Sequence, residues 1–252
     1  DGYRYAERAR IEPHITEKTR AILLSNPGNP TGTVLTPAEL RLMADIAREH
    51  GLYLICDEVY REFIYDGAAP ATAGSFRDID ENLILIDSVS KRFSACGARI
   101  GALISRNCDI MQGALQLAQA RLSVATLDQL GAAALYGVDP SYFDATRNEY
   151  RRRRDTCYRK LLEIPGIVTT EPQGAFYTMA KLPVDSTERS QLYLLQEFED
   201  NGETVMFAPG SGVYATPGAG TSEIRIAYVR CVEELERSLT LLRLAIERYN
   251  QK

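Results

Sequence analysis

The sequence predicts an α/β fold, with a large domain on a mainly parallel sheet followed by a smaller α+β domain. Three observations carry this reading. Short apolar runs at residues 21–25, 52–56 and 82–87 have the length and continuity of strands covered on both faces. The intervals between them suit the crossover connections that parallel strands require. After Asp139-Pro140 the pattern changes to a long charged amphipathic helix and short strand-like pieces. Residues 1–140 are therefore assigned to the large domain and residues 141–252 to the small one.

Each element has its own signal. The first run ends in Asn26-Pro-Gly-Asn-Pro-Thr-Gly32, a dense turn sequence. Thr36-Pro-Ala-Glu39 then forms a capping box with proline at the first helical position. Leu40, Met43, Ala44, Ile46 and Ala47 recur at helical spacing, so a helix should run to about His50 and stop at Gly51. The second run leads into Asp57-Glu-Val-Tyr60 and the third into Ser88-Val-Ser-Lys91. A fourth strand is expected at residues 100–104 and a long helical stretch at 109–136. The small domain should hold a helix at 142–164, strands at 167–170, 175–179, 204–207 and 223–229, and helices at 191–201 and 232–249.

Composition narrows the function. With a net charge of -5, the chain has no electrostatic footprint for nucleic acid or an anionic membrane surface. No apolar run approaches the ~20 residues of a membrane span. The five cysteines are scattered without a C-x-x-C pair, which fits the reduced thiols of a cytoplasmic protein. His14 and His50 lack metal-ligand spacing, so no metal is expected. Arg151–Arg154 is interleaved with Glu149 and Asp155 and reads as a solvated helix face.

Parallel sheets bind ligands at the carboxyl ends of their strands. The sequence puts Asn29 after the first strand, Asp57 and Tyr60 after the second, and Ser88 and Lys91 after the third. A lysine held unprotonated beside other cations can form a Schiff base with an aldehyde. Arg99, eight residues on and close to Gly97 and Gly101, suits a phosphate dianion gripped by a guanidinium fork. Taken alone, Lys91 and Arg99 also fit ordinary surface cations. Ser88-Val-Ser-Lys91 also fits the S-x-x-K of penicillin-binding enzymes, but their S-D-N and K-T-G partners are absent. Gly210-Ser-Gly212 and Gly218-Ala-Gly220 sit in no strand–glycine–helix unit, which argues against a dinucleotide site.

Taken together, the motifs are specific. Ser88-Val-Ser-Lys91 through Arg99 resembles the cofactor-lysine segment of the fold-type I pyridoxal-phosphate (PLP) aminotransferases of class I/II, the aspartate-aminotransferase-like enzymes. Asn29-Pro-Thr-Gly32 resembles their N-P-T-G turn, and Asp57-Glu-Val-Tyr60 their D-x-x-Y segment. Arg225 in Glu223-Ile-Arg-Ile-Ala-Tyr228 resembles their C-terminal arginine. The resemblance covers essentially the whole chain and implies a PLP-transferase-like large domain. Ala98 departs from it, standing where many relatives have an aromatic residue. The family's N-terminal third has no counterpart, and that part would supply a glycine-rich phosphate loop and an aromatic residue over the cofactor ring.

The resemblance implies the following roles. Lys91 would bind PLP covalently and act as the acid/base, and Asp57 would pair with the pyridine nitrogen. Tyr60 and Asn29 would hydrogen-bond the cofactor's phenolic oxygen, while Ser88 and Arg99 hold the phosphate. Arg225, with Asn29, would take the substrate carboxylate. Other readings stay open: Asp57 as a helix cap, Asn29 as a turn residue, Arg225 as a strand-edge arginine in a surface ion pair. Gly174-Ala-Phe-Tyr177 is expected in a small-domain strand, without an assigned role. The implied activity moves an amino group from an L-amino acid, aspartate or similar, to a 2-oxo acid such as 2-oxoglutarate, in a homodimer. A PLP lyase or decarboxylase on the same scaffold, or a catalytically incomplete fragment, is the alternative.

Overall fold

The computed structural model describes residues 2–67 and 71–252. Tyr3–Gly28 and Thr33–Ala145 cluster as one compact unit; Asn29–Gly32 and Thr146–Lys252 cluster as a second.

In the first unit the chain opens with the one-turn helix α1 (Arg8–Ile11), too short for any periodic signal in the sequence. Strand β1 (Ala21–Ser25) leads to helix α2 (Pro37–Glu49), then β2 (Tyr53–Asp57), β3 (Leu83–Ser88), the one-turn helix α3 (Val89–Arg92) and β4 (Gly101–Ile104). The sheet order is β1-β2-β3-β4. β1, β2 and β3 are parallel, whereas β4 runs antiparallel to β3 with Ser88 opposite Gly101. The link between β3 and β4 holds only a one-turn helix and a tight turn, so the chain doubles straight back.

The α2 capping box forms as read. Thr36 Oγ1 accepts the Glu39 N–H at 3.2 Å, and Glu39 Oε2 accepts the Thr36 N–H at 2.8 Å. Leu40, Met43, Ala44 and Ala47 of α2 pack on Leu24, Leu54 and Cys56 of the sheet. This packing anchors one face of the sheet and fixes where its strand ends emerge.

The single helical stretch expected at 109–136 is two helices, α4 (Cys108–Arg121) and α5 (Thr126–Leu135). The break follows Leu122, whose φ of 69° lies in the left-handed region and ends the helix. Among the described residues, α4 buries none of its side chains and α5 only Ala132.

Helix α6 (Ser141–Leu162) crosses the boundary between the units. The second unit continues with β5 (Val168–Thr169), β6 (Tyr177–Lys181), α7 (Thr187–Gln196), β7 (Ala208–Pro209), β8 (Glu223–Ala227) and α8 (Val232–Tyr249). Its sheet is antiparallel throughout, ordered β5-β6-β8-β7. The strand expected at 204–207 is displaced: only Ala208 and Pro209 pair with β8. The arginine run needs one correction. Arg151 and Arg152 are exposed, but Arg154 is buried because its Nη1 donates to the Pro172 carbonyl at 2.9 Å. Among the described residues, no helix is long and apolar enough to cross a membrane.

Candidate active site

In the first unit, the turn after β3 carries Ser88 and Lys91. Ser88 caps α3 by accepting the Ser90 N–H at 3.0 Å, and its hydroxyl donates to the Ile100 carbonyl at 2.8 Å. The preceding residue, Asp87, accepts the Ser88 N–H at 2.7 Å and pairs with Arg92 Nη2 at 2.6 Å. Arg92 is 5% exposed, so this ion pair pins both ends of the lysine turn from inside the protein. Val89 and Phe93 seat the turn on Ala132, with Tyr142 and Phe143 packed around them.

Arg99 closes the same loop with a φ of 55°, a left-handed conformation costing an L side chain roughly 1–2 kcal/mol. Its Nη1 donates to the Cys96 carbonyl at 2.8 Å. The result is a cavity of about 260 Å³ lined by Val59, Ser88, Ser90, Lys91, Cys96 and Arg99. Among the described residues, the lining brings together an amine, a guanidinium and two hydroxyls. Ser90 and Cys96 were not singled out in the sequence; their one signal is a position flanking Lys91 and Arg99.

Asp57 ends β2 next to this turn but does not line the cavity. Burial raises its carboxyl above the ordinary aspartate value and the nearby Asp87 pushes the same way, while the Val59 N–H, 3.1 Å away, opposes them. A carboxylate in that setting gains from a partner carrying a proton. No helix begins at Asp57, so it caps a turn and not a helix. Tyr60 is 4% exposed and packs edge-on against Phe63 with ring centroids 6.5 Å apart.

Asn29 follows β1 in sequence, yet the structure groups it with the second unit. The reason is Gly32. Its carbonyl accepts the N–H groups of Gln173 and Gly174, each at 2.9 Å. A Cβ there would sit 2.5 Å from Pro172 Cβ and 2.8 Å from the Tyr177 carbonyl oxygen, and φ is +69°, so only glycine fits. This docking sets Asn29 beside β8. Arg225 Nη1 donates to Asn29 Oδ1 at 3.4 Å, and the Arg225 guanidinium lies 5.1 Å from the Tyr177 ring centroid. Arg225 makes no ion pair with any carboxylate among the described residues, which removes the surface-ion-pair reading.

Arg225 also lines a cavity of about 550 Å³ with Met206, Phe207, Leu235 and Leu239. Arg230 shares that cavity but faces Glu234 at 3.9 Å. Of the two, only Arg225 keeps its charge open.

The profile of the class I and II aminotransferases matches residues 6–240. This chain belongs to that family. It is 34% identical over 236 residues to aromatic-amino-acid aminotransferase 2 of Thermococcus litoralis, covering 91% of this chain and 58% of that one. It is 30% identical over 249 residues to the aspartate aminotransferase of Bacillus subtilis, covering 96% and 61%. The crystal structure of an aromatic aminotransferase from Pyrococcus horikoshii superposes with a TM-score of 0.88 at 29% identity, covering 99% of this chain and 65% of that one. The chain thus spans about three fifths of the length of the curated relatives it matches.

Proposed function

We propose that this family member uses PLP to move an amino group from an L-amino acid to a 2-oxo acid. The observation that carries this is the cavity in which Lys91 shares its walls with Arg99, Ser88 and Ser90. An amine able to form a Schiff base, sharing a cavity with a guanidinium and two hydroxyls, fits a group bearing both an aldehyde and a phosphate. Ser88 and Arg99 would hold the phosphate. When bound, PLP supplies the electron sink that stabilises negative charge at a substrate carbon.

The protein's own groups supply the rest. Lys91 holds and moves the proton at the substrate Cα. Asp57, half-buried with its carboxyl raised, would pair with the ring nitrogen and favour its protonated form. Tyr60 and Asn29 serve the phenolic oxygen. Arg225 binds and orients the substrate carboxylate, because its guanidinium meets no carboxylate of the protein's own among the described residues. Aspartate and 2-oxoglutarate are the proposed pair, supported by the aspartate aminotransferases among the relatives. A cytoplasmic two-fold dimer belongs to the same reading; Leu115, Leu117, Leu127 and Leu130, all exposed, provide apolar surface for a second subunit.

The test is incubation with PLP, aspartate and 2-oxoglutarate. Glutamate formation is expected. Release of ammonia or carbon dioxide without glutamate would overturn transfer in favour of lyase or decarboxylase chemistry.

A further inference from the structure

Strands β6 and β8 are paired so that Tyr177 stands opposite Ala227 and Met179 opposite Arg225. Tyr177 and Arg225 are therefore diagonal neighbours on one face of the sheet, a separation that long side chains bridge. They do bridge it, with the guanidinium carbon 5.1 Å from the ring centroid. Behind Tyr177 the rings of Phe176 and Tyr150 continue the support, at centroid spacings of 4.9 Å and 5.5 Å. On its other contact the guanidinium donates to the neutral amide oxygen of Asn29.

Both partners hold the cation without cancelling its charge. A carboxylate in either place would fix Arg225 equally well but would compete with an incoming anion. An aromatic face attracts a cation by its quadrupole and leaves the N–H fork free.

We propose that Tyr177 is a positioning residue for Arg225, whose ring face, with Asn29, holds the fork ready for a carboxylate. This rests on the reading of Arg225 as the carboxylate-binding group. All three residues lie in the second unit.

The experiment titrates 2-oxoglutarate into the full chain and follows the Arg225 Nε–H resonance by NMR. Wild type and Tyr177→Phe should saturate with affinities within about twofold of each other, because the ring face is kept. Tyr177→Leu should bind about fivefold more weakly, and Tyr177→Gln, a second variant in case the first fails to fold, should match it. Arg225→Met should lose binding. If the Leu and Gln variants bind like wild type while Arg225→Met does not, Tyr177 has no positioning role. If wild type fails to bind, or Arg225→Met binds like wild type, the carboxylate reading itself falls. Failure of Tyr177→Phe to restore binding would also overturn the proposal, since the hydroxyl and not the ring face would then matter.

Discussion

The lysine turn and the arginine cluster each hold basic side chains in place, and they do so in opposite ways. At the lysine turn, the groups come from one short stretch of chain and bond mostly within it, although the buried Arg92 Nε has no hydrogen bond among the described residues and lies 3.6 Å from Glu62 Oε1. Ser88 bonds to Ile100, Arg99 to the Cys96 carbonyl, and Asp87 to Ser88 and Arg92. In the arginine cluster, the bond from Arg225 to Asn29 joins residues 196 positions apart. Local bonding fixes backbone direction, whereas long-range packing fixes which side chains meet.

Substitutions can break or sharpen that contrast. The largest effect is chemical: Lys91→Ala should abolish PLP labelling after borohydride reduction, read by peptide mass, without shifting the unfolding midpoint. An equal label on the variant would show that another amine carries the cofactor. Next is Arg92→Met, which takes the nearest cation from the half-buried Asp87, leaving Arg61 at 4.0 Å, and should cost about 1–3 kcal/mol in urea unfolding. Replacing Asp87 and Arg92 together with apolar residues should recover most of that loss. Were the single variant as stable as wild type, the buried pair would not anchor the lysine turn.

Gly32→Ala tests the other cluster. The left-handed backbone alone should cost about 1–2 kcal/mol, and the close approach to Pro172 adds to it. Acid binding at Arg225 should weaken while PLP labelling at Lys91 is unaffected; equal loss of both would mean the two clusters are not built separately.

The smallest effect is a control on scaffold alone. Thr36→Ala should cost about 1 kcal/mol by removing the α2 cap, and neither ligand should sense it. Its partner Glu39 adds a pH signature. Partial burial opposes ionisation, yet hydrogen bonds from Thr36 and the charge of Arg4 hold the carboxyl below its ordinary value of 4.5. A lowered folded value means the stabilisation is present above that ordinary value and fades as pH falls through the folded one. Thermal unfolding from pH 7 to pH 3 should show this loss in wild type and a smaller one in Thr36→Ala.

Much of the fold was legible because the signals are local. The α2 cap, the parallel β1–β3 ladder and the lysine turn each depend on residues a few positions apart, and short-range patterns record such geometry directly. Less legible were features set by distant partners. The antiparallel β4, the displaced β7 and the buried Arg154 follow from which strand or carbonyl happens to lie alongside.

By itself, the sequence determined the alternation of strands and helices and pointed to Lys91, Arg99, Asp57 and Arg225 as the proposed reactive groups. Only the tertiary structure decided that Asn29 would meet Arg225, and that the Tyr177 ring would lie against its guanidinium. The physical reason is that a glycine's room to dock and a diagonal pair across a sheet both depend on chain segments remote in sequence. No pattern along one segment encodes which partner will arrive.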